Sequence, residues 1–191
     1  MKIYYDCEFL EDGRTIDLIS IGMVAEDGRE YYAVNSEALW DRIRKHDWLM
    51  RNVVPHLPIT GRHSLDKYVA SSPNSYPRPS VDMVDIDVTD SRVKPCQVIA
   101  NEVRDFIQAT PDPALWAWYG AYDHVALCQM WGRMIDLPTG VPMHTNDLKQ
   151  ECDRLGNPTL PDQPVGEHNA LADARHNKAM ADFLIKEHPN A

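Results

Sequence analysis

The chain has 191 residues, 43% of them hydrophobic, with 29 acidic against 19 basic side chains and a formal net charge of −10. That length fits one domain spanning 1–191 with a sizeable core, and no apolar run approaches the ~20 residues of a membrane helix. Four cysteines (Cys7, Cys96, Cys128, Cys152) lie far apart with no C-x-x-C pair, which excludes zinc ribbons and disulfide scaffolds; with no signal-peptide stretch at the N-terminus, the expected setting is a reducing cytoplasm.

Residues 2–9 (KIYYDCEF), 16–25 (IDLISIGMVA) and 29–34 (REYYAV) are rich in β-branched and aromatic side chains and predict strands. Glu26-Asp27-Gly28 is a hairpin signal between the second and third, so the chain opens as an antiparallel meander. Ser36–Lys45 predicts a Ser-capped helix with Leu39, Trp40 and Ile43 on one side. From 46 to 95 the pattern breaks at Pro55, Pro58, Pro73, Pro77 and Pro79, and a long irregular connection is expected. Its acidic stretch, Asp82, Asp85, Asp87 and Asp90, reads as solvated loop.

Charge is uneven here. Residues 42–78 carry seven basic side chains and two acids, a local balance of +5, and the rest of the chain is −15. The acidic total speaks against a polyanionic partner, yet this segment offers one a landing surface.

Periodicity returns at Gln97–Gln108, a helix with Val98, Val103, Phe106 and Ile107 inward. Ala114–Tyr119 predicts a buried strand, and helices follow at Asp123–Trp131, Asp147–Leu155 and Ala170–Ile185. The order βββ–α–connection–α–β–α–α–α is α/β with a mixed sheet flanked by helices.

Three motifs carry possible chemistry. Asp6 and Glu8 alternate with Cys7 on the first strand, so both carboxylates share a face, a platform for hard divalent cations. Asp123 stands where a strand passes through Gly120 into a helix, the strand end where α/β folds bind ligands. His168 sits just before the last helix, with Asp173 about one turn in, roughly 6 Å along its axis. Each motif alone also has a plain structural explanation: a wet strand edge, a helix-start acid, an ordinary loop histidine.

In chain order the three read D-x-E … D … H-x4-D. This set resembles the DEDDh 3′→5′ exonuclease superfamily, also called DnaQ-like or RNase T-like. The start KIYYDCEF and the stretch WYGAYD are similar to its polyadenylate-specific 3′-exoribonuclease subfamily. Asp147-Leu148 also looks like the segment before that family's third motif. The chain departs from the pattern at Trp118-Tyr119, where many relatives carry His-Asn.

The resemblance implies a ribonuclease H-like sheet and a two-metal hydrolysis that releases nucleoside monophosphates from the 3′ end of single-stranded RNA. Asp6, Glu8, Asp123 and Asp173 would hold two Mg2+ ions, replaceable by Mn2+, and His168 would be the general base. Phe9 and Leu10 would pack against the terminal nucleotide, with Tyr119 and Tyr122 (and Trp118) as further substrate contacts. It also implies a homodimer, with 42–78 serving the neighbouring site. A DNA exonuclease and a non-catalytic nucleic-acid-binding module remain the alternatives. His46-Asp47 raises an HD-type phosphohydrolase, but the opening strands do not suit that helical scaffold; no P-loop, G-x-G-x-x-G or H-E-x-x-H is present.

Overall fold

The computed structural model describes residues 1–188. β1 (Lys2–Glu11), β2 (Ile16–Ala25) and β3 (Glu30–Asn35) form the expected antiparallel meander, with Asp6 opposite Gly22 and Ile21 opposite Ala33. The hairpin between β2 and β3 turns at Gly28 with φ +89°, a conformation that glycine adopts without steric cost.

The predicted helix over 36–45 shrinks to α1 (Trp40–Ile43). Ser36 does not cap it: its N–H donates to the Lys94 carbonyl and prolongs the sheet, while Asn35 Oδ1 takes the Glu37 N–H and turns the chain.

The segment expected to be irregular is instead a packed layer. It holds α2 (Asp47–Asn52), β4 (Ile59–Thr60), α3 (Arg62–Ala70), β5 (Asp85–Ile86) and β6 (Val93–Lys94). Leu49, Met50, Val53, Leu57, Leu65 and Val84 bury themselves against Leu10, Ile19 and Val34 of the meander. The acidic stretch is at the surface but not all loop: Asp85 lies in β5, paired with β4, and Asp90 is paired to Arg92.

α4 (Cys96–Gln108) follows, then β7 (Ala114–Ala117), α5 (Ala121–Gln129), β8 (Asn146–Asp147), α6 (Leu148–Arg154) and α7 (Ala170–Glu187). In α4 the inward positions are Ile99, Ala100, Val103 and Ile107; Val98 points outward, one position away from the expected face. The six-stranded sheet runs β6-β3-β2-β1-β7-β8, with β7 parallel to β1, β8 parallel to β7 and β6 parallel to β3. The fold is therefore mixed α/β with helices on both faces. Ile3, Tyr5 and Cys7 face the side covered by α4 and α5. Tyr4, Asp6, Glu8 and Leu10 face the other side, shared between α7 and the layer 46–95.

α7 reaches the sheet so closely because β2 has a glycine beneath it. A Cβ at Gly22 would collide with the backbone of Ala170 and Leu171. Gly22→Ala is expected to cost about 1–3 kcal/mol through overpacking and to push the first turn of α7 off β2. Urea denaturation reads the loss, and unchanged stability would contradict this close seat.

Candidate active site

The carboxylates gather at the seam between α7 and the layer 46–95. β1 brings Asp6 and Glu8 to that face, and α7 adds Asp173 from its first turn. Oxygens of these three groups lie within 4.8 Å of one another. Glu8 is 8% exposed, whereas Asp6 and Asp173 are half-buried at the edge of a 480 Å3 cavity that His168 also lines.

Asp123 arrives by a different route. β7 pairs with β1 only as far as Tyr4, so the next inward-pointing backbone groups of β1 lack a strand partner. Asp123 Oδ1 accepts the Cys7 N–H at 2.8 Å, and Asn177 donates to the Tyr5 carbonyl at 3.1 Å. Buried at the start of α5, Asp123 is thus fixed beside the three-carboxylate cluster with one oxygen already engaged.

His168 stands in the left-handed region with φ +64°, just ahead of Asn169, whose Oδ1 caps α7 by accepting the Ala172 N–H at 3.1 Å. Gln163 donates to Asp173 Oδ1 at 2.7 Å and fixes that carboxylate.

These acids are poorly compensated. Among the described residues none of the four forms an ion pair with Lys, Arg or His. Burial, then the charges of Asp173 and Asp123, push the Glu8 carboxyl up to about 8. Burial raises Asp123 to about 6, against the opposing Cys7 hydrogen bond. Burial and the neighbouring Asp123, Glu8 and Asp173 carry Asp6 well above the carboxylate range. Asp173 is raised by burial too, with Gln163 and His168 acting against it. A cluster of hard oxygens that protein cations do not neutralise has the chemistry of a divalent-cation site.

No known protein-family profile matches the chain. Two proteins of Mycobacterium tuberculosis, from strains CDC 1551 and H37Rv, are each named 3′-5′ exoribonuclease; they are 44% identical to this chain over 177 residues, covering 92% of it and 88% of each relative. The chain belongs to this 3′-5′ exoribonuclease family.

Around the cluster of this family member, the other expected residues separate into two groups. Phe9 and Tyr122 meet edge to face at 6.0 Å, and Tyr119, 62% exposed with φ +52°, packs on Trp118 at 5.2 Å. Leu10 lies in the core at 3% exposure, which leaves the aromatic side chains as the surface a ligand can reach. Much of the basic segment is engaged within the protein, while Lys45 and Lys67 stay exposed. Arg42, Arg44, Arg51 and Arg78 pair with nearby aspartates, and Arg62 donates to the carbonyls of Pro55 and Leu57. Of three supporting residues, the sequence places Asn169 at the start of the last helix and misses the other two. Asn169 had a local signal, as a cap residue before an apolar-periodic helix. Gln163 and Asn177 had none, because their partners are tertiary.

Among the described residues, no helix is long and apolar enough to cross a membrane.

Proposed function

We propose that this chain is a metal-dependent 3′→5′ exoribonuclease of the DEDDh type, on a ribonuclease H-like sheet, that removes nucleoside monophosphates from single-stranded RNA 3′ ends. The observation that carries this reading is the meeting of Asp6, Glu8 and Asp173 within 4.8 Å beside the cavity that His168 lines; the exoribonuclease relatives set the reaction class.

Asp6, Glu8 and Asp173 would hold divalent cations, with Asp123 completing the site through its free oxygen. Their uncompensated burial fits Mg2+, or Mn2+ in its place. When bound, such cations neutralise the scissile phosphate and stabilise the attacking and leaving oxygens.

The chain's own groups do the rest. A ring nitrogen of His168 accepts the proton of the attacking water, a task suited to an imidazole. Gln163 keeps the Asp173 carboxylate turned toward the cluster. Phe9, Tyr119 and Tyr122 offer aromatic faces to the terminal nucleotide, where stacking is worth about 1–3 kcal/mol per base. Adenylate preference, a homodimer and a cytoplasmic setting belong to the same proposal, as what the resemblance implies.

Labelled RNA and DNA oligomers with varied 3′ ends, incubated with Mg2+ or EDTA, test it. Stepwise shortening of RNA from the 3′ end in Mg2+ is expected, fastest on oligoadenylate and absent in EDTA. Shortening that survives EDTA overturns the metal dependence, and equal rates on DNA overturn the RNA preference.

A further inference from the structure

We infer that Trp48 is a positioning residue that sets the ring plane of His168; this rests on the reading of His168 as proton acceptor. The two rings meet edge to face, 4.9 Å between centroids and 73° between planes, across the seam between α7 and the layer 46–95. The backbone around His168 fixes where its Cα sits but not how its ring turns. The loop's hydrogen bonds serve other groups: Asn169 caps α7, its N–H goes to the Gly166 carbonyl, and Gln163 holds Asp173. A second cavity of 370 Å3, lined by Arg51, Asn52, His56 and His168, offers the imidazole somewhere else to go.

Trp48 supplies the missing constraint from a firmly held helix. Leu49 and Met50 anchor α2 in the core, His46 Nδ1 accepts the Leu49 N–H, and Asp47 takes the Tyr68 hydroxyl at 2.6 Å and Arg51 Nε at 3.1 Å. Yet Trp48 itself is 49% exposed, an unusual place for the largest apolar side chain. Its rigid ring has two torsions, and an edge-to-face pair biases the partner's orientation by about two- to tenfold. Holding a general base within reach of its proton is worth such a factor in rate.

The test compares Trp48→Leu, Trp48→Phe and His168→Ala on an RNA oligomer in Mg2+. Trp48→Leu is expected to lower kcat about two- to tenfold with KM and melting temperature nearly unchanged, and Trp48→Phe, which keeps an aromatic edge, to restore most of the rate. In metal-free protein, the His168 imidazole protons should show a ring-current shift that Trp48→Leu removes. Normal kcat in Trp48→Leu while His168→Ala is inactive overturns the inference alone. A raised KM with kcat kept also overturns it, assigning Trp48 to base stacking. Full activity in His168→Ala brings down the underlying reading and this inference with it.

Discussion

Replacing Asp6 or Asp173 by asparagine is expected to reduce Mg2+-dependent exoribonuclease activity by at least about a thousandfold, while making the metal-free protein more stable. The first effect follows from the proposed role of the cluster: its three carboxylates lie within 4.8 Å, and losing one would remove a charged ligand from the only acidic grouping of this kind found among the described residues. Groups that act as a unit lose activity on the order of 10^3-fold or more when one is removed. The second effect follows from the same charges. Burial and the neighbouring acids carry Asp6 well above its ordinary value, burial raises Asp173, and the Asp173 charge in turn opposes ionisation of Asp6 and Glu8, so an uncharged isostere relieves repulsion in the apo state. His168→Ala is expected to lose about 10^2–10^4-fold, the range for a general base, with no gain in stability. Steady-state rates and urea denaturation in EDTA read both quantities. An active Asp173→Asn enzyme would remove the metal assignment; an inactive but destabilised one would mean that the carboxylate matters for folding.

What the sequence revealed about this site depended on how far each signal reaches along the chain. Asp6 and Glu8 were legible because a strand alternates, and β1 places both on the α7 face. Asp173 was legible because a helix start could be located near Asn169, and the cap is there. The layer 46–95 was not, since its elements run from two to nine residues, shorter than the windows in which helical period shows. Its prolines marked the breaks between elements and hid the Leu49–Met50 and Leu65–Tyr68 contacts that make it a layer. Ser36 failed as a cap for a related reason: the sheet claimed its N–H through Lys94, a partner that no local pattern announces. Net charge misled in both directions. The proposed site draws on only four of the acids, and four of the seven basic side chains in the segment pair with aspartates, Arg51 and Arg78 with Asp47 inside it and Arg42 and Arg44 with Asp12 and Asp41 outside it. The contact between Trp48 and His168 joins these two halves, and nothing within either segment points to the other.

Those opposed charges also fix how stability depends on pH. In the metal-free protein Glu8 titrates at about 8 and Asp123 at about 6, against about 4.3 and 3.9 in an unfolded chain. Between the unfolded and folded values the native state binds protons that the unfolded state has released, so stability falls as pH rises through that window. Asp6 and Asp173, also raised, act with the same sign. Below the window the sign reverses: Arg92 holds Asp90 down at about 2, and that stabilisation is lost as pH falls from about 4. The melting temperature in EDTA is therefore expected to peak near pH 4–5 and to decline toward pH 8, with Glu8 alone contributing a few kcal/mol, at about 1.4 kcal/mol per pH unit of window. On the proposed metal reading, divalent cation is expected to change the slope, because ionised carboxylates would be its ligands. At about one hundred times its dissociation constant it adds about 2.7 kcal/mol, and the gain should be larger at pH 8 than at pH 5, flattening the profile. Asp6→Asn should flatten it without metal. Thermal melts from pH 4 to 9, with EDTA or 10-fold steps of Mg2+, separate the cases: a flat profile in EDTA would show that the four acids do not oppose one another, and a decline that Mg2+ leaves untouched would place the cation elsewhere.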